Sequence, residues 1–423
     1  MKILQIVEES PSLDFTIPIF DQIHEENEII IFTIRPTYNY WFDHKPEKLF
    51  PENNTNVIFL DLIKISKFPR IVTKFFRLFV LNNRDNTNNF LSKSLRVFFT
   101  YLLDLTSDIQ KIFDNFSDNG VPDIVMVDSR NDLKINNINK KLFTLINNKK
   151  IKTIGVPVST YVREGWFFPV NLFGTSSKLN FPFNKLPNKF EFWSTTYQPK
   201  TEGQLEKNQY RIVGYSGLNE NWLSKWTGEK KENVKEIKIL LNIRHFDEDI
   251  GEQNKPGPYT ADEVEKFFSF LSSLQEELKD YKIEFILKPH YYMNFESLNK
   301  LLINSKIKNT KTFRTSIYNS LKNVDIVVGL HTSVNIVTSA AKIPTILYPE
   351  TQTKIIGETD KKTFEMYTSH PGYAESKEEF KNLFIKSLDI ESRNKLGKEC
   401  YLWSKKIFGD TSMKNIISQI NKN

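Results

Sequence analysis

Two strand ends between Ile283 and Glu350 carry the side chains best suited to chemistry in this 423-residue chain. In IEFILKPHYY an apolar run stops at Lys288, Pro289 and His290. In NVDIVVGLHTSVNIVTSAAKIPTILYPE a second run stops at Gly329, Leu330, His331, Thr332 and Ser333. Open α/β sheets bind ligands outside the carboxyl ends of their parallel strands. The second end opens a helix that Thr332 or Ser333 can cap. The first N–H groups of a helix and the positive end of its dipole attract anions; the two hydroxyls add donors, and His331 adds a donor or a charge. At the first end Pro289 stops the ladder and turns the chain outward, leaving Lys288 or His290 for a ligand. A histidine there donates to a phosphate or acts as an acid. Either end alone also describes an ordinary capped helix or a structural histidine. The pair, with hydroxyls beside it, fits the phosphates of a nucleotide.

Other side chains fall at strand ends too. Arg244 and His245 follow IKILLNI and belong to the same edge, and Glu350 after IPTILYP can accept from ribose or sugar hydroxyls. Asp128 closes PDIVMVDS and is either a general base for an acceptor hydroxyl or a helix cap. The chain has no GxGxxG, Walker loop, HExxH, GxSxG or Cys–His metal spacing, which argues against a dehydrogenase, P-loop ATPase, zincin or α/β-hydrolase. The single cysteine, Cys400, excludes an internal disulfide framework and a Cys-based metal site.

These ends have to be positioned by strands and helices in alternation. KILQIV, a helix over PSLDFTIPIFDQIHEEN, then EIIIFTI give the βαβ signal of a parallel sheet with right-handed crossovers. NTNVIFLDL, PDIVMVDS and IKTIGVPVS continue it, and EFWSTTYQ adds a short strand. The stretch from Tyr210 to Glu236 is polar and charged and marks a change of domain. The rhythm restarts at IKILLNI. ADEVEKFFSFLSSLQEELKDY is a helix with an apolar stripe, opened by Thr260 as N-cap with Glu263 three residues on. IEFILKPH, a helix in FESLNKLLINS, a short strand at 311–313, helix SIYNSLKN, strand VDIVVGL, helix SVNIVTSAAK and strand IPTILYPE follow. The IEFILKPH strand is expected close to VDIVVGL in the sheet. The C-terminal stretch is helical with a break at Gly409. The predicted division is an α/β domain over 1–215, a second over 235–400 and a terminal helix over 401–423.

Two segments fall outside this rhythm. Residues 63–113 combine Lys64, Lys67, Arg70, Lys74, Arg77, Arg84, Lys93 and Arg96 with seven phenylalanines before Ile112, at roughly helical spacing. Such helices either lie on anionic membrane surfaces or bury their aromatic stripe in a core under a solvated basic face. Residues 161–199, rich in Phe, Trp, Pro, Asn and Gly, read as a long irregular segment that forms part of an acceptor cleft.

Composition sets the outer bounds. The length suits two domains of about 200 residues each, and the mean hydropathy of -0.42 is that of a globular protein. A spanning helix needs about 18 or more apolar residues in a row, and no such run exists. MKILQIV is a first strand and not a signal peptide, so the expected compartment is cytoplasmic. A net charge of +7 points to anionic partners. Basic and aromatic residues concentrate in one segment without an RNA-binding motif, so nucleic acid is not an expected partner.

Over residues 237–420 the chain resembles the GT-B glycosyltransferases of bacterial surface polysaccharide synthesis, in particular the superfamily of CDP-glycerol glycerophosphotransferases and capsule transferases. The family pattern is a strand ending in His-Pro, an Asp-led apolar strand ending in a Ser-Ser or Ser-Thr pair, a helix, and a Lys/Ile-Pro strand. Lys288–His290, Asp325 with His331-Thr332-Ser333, and Lys342-Ile343-Pro344 stand in those places. FGDTSMKNI is similar to the family's C-terminal helix. Tyr291 follows His290 where the family has Pro, and Val337 or Thr338 occupies the place of its acidic residue. The resemblance implies an α/β fold of two Rossmann-like domains facing a cleft, with a C-terminal helix crossing back to the N-terminal domain. It implies a metal-independent transferase without a cofactor, moving a sugar or sugar-like phosphate unit from a nucleotide-activated donor to a surface-polysaccharide or lipid-linked acceptor; the basic segment adds the expectation of peripheral contact at the inner face of an anionic membrane. His290, Thr332 and Ser333 become donor contacts and Lys288, Arg244 and His331 supporting charges; Asp128, from its strand-end position in the N-terminal domain, is the candidate base. A nucleotide-sugar 2-epimerase, which shares the two-domain plan, and a non-catalytic sugar- or nucleotide-binding relative are the alternatives.

Overall fold

The computed structural model describes residues 1–7, 13–33, 56–67, 105–128, 137–157, 189–194, 210–228, 235–243, 259–289, 295–313, 316–322, 324–330, 332–348, 366–409 and 411–421, with 71, 94, 98, 101, 246 and 293 between them. The chain divides into two compact units, residues 1–217 with 411–423, and residues 218–410.

The first unit runs β1 (Lys2–Val7), α1 (Leu13–Ile23), β2 (Glu28–Thr33), β3 (Val57–Asp61), α2 (Gln110–Phe113), β4 (Ile124–Asp128), α3 (Asn137–Asn148), β5 (Lys152–Val156), β6 (Phe190–Ser194) and β7 (Tyr210–Ile212). Its strands form one sheet in the order β3-β2-β1-β4-β5-β6-β7, and every pairing is parallel. Ile3, Leu4, Ile29 to Phe32 and Ile124 to Val127 are buried, as strands covered on both faces must be. The edge strand β7 falls in the stretch whose polarity reads as a linker. Three residues paired on one side only carry too little apolar pattern to show.

The second unit runs α4 (Glu220–Ser224), β8 (Glu236–Ile243), α5 (Ala261–Glu277), β9 (Lys282–Pro289), α6 (Phe295–Asn304), β10 (Thr310–Thr312), α7 (Ile317–Leu321), β11 (Ile326–Gly329), α8 (Ser333–Ala340), β12 (Thr345–Leu347), α9 (Lys377–Lys386) and α10 (Ile390–Phe408). The sheet order is β10-β9-β8-β11-β12, again all parallel. Both sheets therefore reverse direction beside their first strand, between β1 and β4 and between β8 and β11. That reversal is the topological switch point of a doubly wound fold.

One face of the second sheet meets Val264, Phe267, Phe268, Leu271 and Leu274 of α5 together with Phe380, Phe384 and Cys400. The predicted capping box opens α5: Glu263 N–H donates to Thr260 Oγ1 at 3.2 Å and Thr260 N–H to Glu263 Oε2 at 2.7 Å. On the other face Ile336 of α8 packs with Leu347, Tyr367, Trp403 and Phe408. Helix α10 stops at Gly409, whose φ of 69° and ψ of -175° suit glycine alone. The chain then re-enters the first unit, where α11 (Met413–Asn421) buries Met413, Ile416 and Ile420 and packs against α1. Lys152 Nζ donates to its Gln419 carbonyl at 3.2 Å. The expected return of the terminal helix to the N-terminal domain is thus present.

Cys400 is fully buried in the second unit, and burial pushes its thiol up to about 12. The thiolate is the reactive form. Native protein at pH 8 is therefore expected to resist a thiol reagent that labels the urea-unfolded chain completely; rapid labelling of native protein would contradict this core.

Candidate functional site

The carboxyl edge of the second sheet is built around a buried amide. Lys288, Asn242, Gly329 and Leu347 stand in one row across β9, β8, β11 and β12. Asn242 is 1% exposed, and its side chain leans over β11, where a Cβ on Gly329 would lie 2.8 Å from its own Cβ. Only glycine leaves that space. Asn242 Nδ2 donates to Asn335 Oδ1 at 2.9 Å, and Asn335 Nδ2 donates to the Leu330 carbonyl at 2.8 Å. The end of β8, the turn after β11 and the first turn of α8 are thereby tied at the switch point. Asn242 Oδ1 has no hydrogen-bond partner. A buried polar atom left so costs about 1–3 kcal/mol unless a ligand or water meets it.

Helix α8 begins without a side-chain cap. Thr332 holds the N-cap position at φ -140° and ψ 154°, yet its hydroxyl does not bond the first turn. Its Oγ1 is buried and unpartnered. This corrects the expected capping role, and leaves the hydroxyl for another partner. The Thr332 carbonyl accepts from Asn335 N–H at 3.0 Å and from the Tyr367 hydroxyl at 2.6 Å.

The rest of α8 is fixed by polar bonds inside the core. Thr338 Oγ1 lies 3.1 Å from the Asn335 carbonyl and 2.9 Å from Thr345 Oγ1. Ser339 Oγ donates to the Asn335 carbonyl at 2.7 Å and meets His370 Nε2 at 2.9 Å. Gly372 N–H donates to His370 Nδ1 at 3.0 Å, which makes Nδ1 an acceptor and Nε2–H the donor to Ser339. Gly372 passes so close to β12 that a Cβ there would lie 1.9 Å from the Thr345 carbonyl oxygen. Trp403 stacks on Tyr367 and donates through Nε1 to Ser369 Oγ at 3.0 Å.

Of the residues singled out by sequence, Lys288, Thr332 and Ser333 share this edge. Lys288 is half-buried at the end of β9, and Ser333 opens α8. Asp128 ends β4 in the first unit. Arg244, His290, His331 and Glu350 lie outside the described residues. The two strand ends are not neighbours: β8 separates β9 from β11, a spacing of about 10 Å at two strand intervals. Asp325 stands at the opposite, amino edge, where it accepts from Lys238 N–H at 2.8 Å and lies 3.7 Å from Arg393 Nη1. Its place in the pattern is structural. Val337 is buried and Thr338 is spent on Thr345, so neither offers a group in place of an acid. Sequence reasoning missed Asn242, Asn335, Tyr367 and His370. An Asn inside the apolar run of IKILLNI was the available signal; the others become neighbours only on folding.

Comparison with solved structures finds the same two-domain fold at low identity. The chain is similar to a protein described as a UDP-N-acetylglucosamine 2-epimerase from Listeria monocytogenes, at 13% identity and TM-score 0.51 over 99% of this chain and 95% of that one. It is similar to S. aureus MnaA, solved with UDP, at 12% identity and TM-score 0.50 over 99% and 96%. A further UDP-N-acetylglucosamine 2-epimerase gives 11% identity and TM-score 0.52 over 99% and 95%. The fold is GT-B. No family model and no curated protein matches the chain. Within the GT-B plan of two Rossmann-like domains, the Asn242–Asn335 pair and α8 form the switch-point end of the C-terminal domain.

The hydrogen bonds around His370 assign one tautomer. Nitrogen NMR at neutral pH is expected to show its Nε2 protonated and its Nδ1 bare; the reverse pattern would show that Ser339 and Gly372 do not fix the ring.

Proposed function

We propose that this protein acts on a nucleotide-activated sugar and transfers the sugar to a surface-polysaccharide or lipid-linked acceptor, as its resemblance to CDP-glycerol and capsule transferases implies. One observation carries the nucleotide part: the uncapped start of α8 at the switch point, with Thr332 Oγ1 and Asn242 Oδ1 buried beside it and unpartnered. Main-chain N–H groups at a helix start suit a phosphate. Lys288, Arg244, His290 and His331 supply cationic or hydrogen-bonding groups at the same strand ends, and Glu350 takes sugar or ribose hydroxyls.

In the transfer, the acceptor oxygen bonds to the anomeric carbon as the bond from that carbon to the phosphate oxygen breaks. The electron pair stays with the nucleotide, and Asp128 takes the acceptor proton. Charge therefore builds on the phosphate, where fixed donors stabilise it most in the transition state. His290→Ala is expected to lower turnover by roughly 100-fold, the scale of losing one such donor, with an unchanged melting temperature. Wild-type turnover in that variant would remove His290 from the site. Thermal shifts against CDP, CMP, UDP and GDP identify the nucleotide; a response to none of them would overturn the reading.

The fold likeness to 2-epimerases favours a second reading, in which the nucleotide-sugar itself is isomerised. Product analysis separates the two. Transfer needs an acceptor, whereas a C2-epimerised nucleotide-sugar formed without one would establish the second reading.

A lipid-linked acceptor places the enzyme at a membrane surface, and the basic segment supports peripheral contact there. No helix among the described residues is long and apolar enough to span a bilayer. Phe98, Tyr101 and Leu105 are each helical and are 61%, 59% and 51% exposed, at the i, i+3 and i+7 spacing of a helix face in the sequence. Eight Lys and Arg between residues 64 and 96, against Asp85 alone, add attraction to anionic lipid. The protein is expected to sediment with anionic vesicles at low salt and to lose this when Phe98, Tyr101 and Leu105 are all replaced by Ala. No sedimentation of the wild type would remove the membrane contact.

A further inference from the structure

We infer that Tyr367 is a positioning residue for the phosphate-binding end of α8, an inference that rests on the nucleotide reading of that end. The Thr332 carbonyl and the Ser333 N–H belong to one planar trans peptide, so fixing the oxygen aims the N–H in the opposite direction. Two donors fix that oxygen, the Tyr367 hydroxyl at 2.6 Å and Asn335 N–H at 3.0 Å. The Ser333 amide is the first of α8 and has no partner within the helix. Because Thr332 supplies no side-chain cap, the Tyr367 phenol is what anchors the entry peptide from outside the helix.

The phenol is itself held rigidly. Tyr367 is 2% exposed, and its ring stacks on Trp403 at 6.0 Å between centroids and 24° between planes. Trp403 is in turn tied to Ser369, two residues beyond Tyr367. A second observation lies at the same turn. Asn242, 1% exposed, reaches the first turn of α8 through Asn335 and keeps an unpartnered Oδ1, an acceptor that a hydroxyl or N–H of the nucleotide would meet while the main-chain N–H groups take its phosphate. A hydrogen bond to the carbonyl also polarises the peptide and makes its N–H the better donor. Tyr367 thus serves the anion through Ser333 without touching it.

The Tyr367→Phe variant deletes one oxygen and keeps the stacked ring. Calorimetry on the full chain would compare the nucleoside diphosphate that the wild type binds with the matching nucleoside. The expected result is a roughly 5–10-fold weaker diphosphate affinity, the scale of one hydrogen bond, with nucleoside affinity unchanged. A merely structural tyrosine would weaken both ligands alike. If the wild type binds no nucleoside diphosphate, the phosphate reading falls and this inference with it. If the wild type binds and the variant binds diphosphate equally, loses both ligands in proportion, or no longer folds, only the inference falls.

Discussion

The candidate site depends on holding a two-turn helix at a fixed height over the sheet. An isolated helix of eight residues is unstable in water, because nucleation costs more than so few hydrogen bonds return. Helix α8 is therefore specified by what surrounds it. The Asn242–Asn335 bond pins its first turn to β8, Thr338 pins its middle to Thr345, and Ser339 pins its last turn to His370. Each bond lies inside the core, where water cannot substitute for a missing partner. Loss of any one leaves a desolvated polar group rather than a hydrated one. Gly329 and Gly372 belong to the same constraint, since a side chain at either would occupy the space of Asn242 or of the Thr345 carbonyl.

The two units solve the same topological problem with different chemistry. Each sheet has its first strand beside the switch point, and each of those strands carries a buried amide, Gln5 in β1 and Asn242 in β8. Asn242 spends its Nδ2 on Asn335, whereas both side-chain atoms of Gln5 are unpartnered. The structure gives no physical account of Gln5. The contrast marks the second unit as the one whose switch-point end is tied together by side chains.

Much of the architecture was legible because parallel strands buried on both faces read as apolar runs, and because local signals stood where helices begin and end. The Thr260–Glu263 box and Gly409 are contained within a few residues, so their geometry follows from sequence alone. Strand order is different. A doubly wound sheet inserts β8 between β9 and β11, so two ends that look adjacent along the chain stand one strand apart. The three-residue β7 was hidden in a polar stretch. Asp325 shares a short sequence motif with the hydroxyls beyond its strand, yet a strand's first and last residues lie on opposite edges. His370 and Tyr367 carry no local pattern; their roles arise from 31 and 35 residues of separation closed by folding.

The proposed phosphate end of α8 is built largely from groups that carry no charge near neutral pH. The main-chain N–H groups of α8, the Thr332 hydroxyl and the two asparagine amides keep the same donors and acceptors across that range. His370 bridges Gly372 and Ser339 through its two ring nitrogens. Charged side chains at the strand ends then act on a frame whose geometry is set beforehand. Their contribution depends on salt and on protonation, while the direction of the α8 amides does not. Such a division suits a reaction in which charge accumulates on a leaving phosphate, because donors already oriented need not reorganise as it departs.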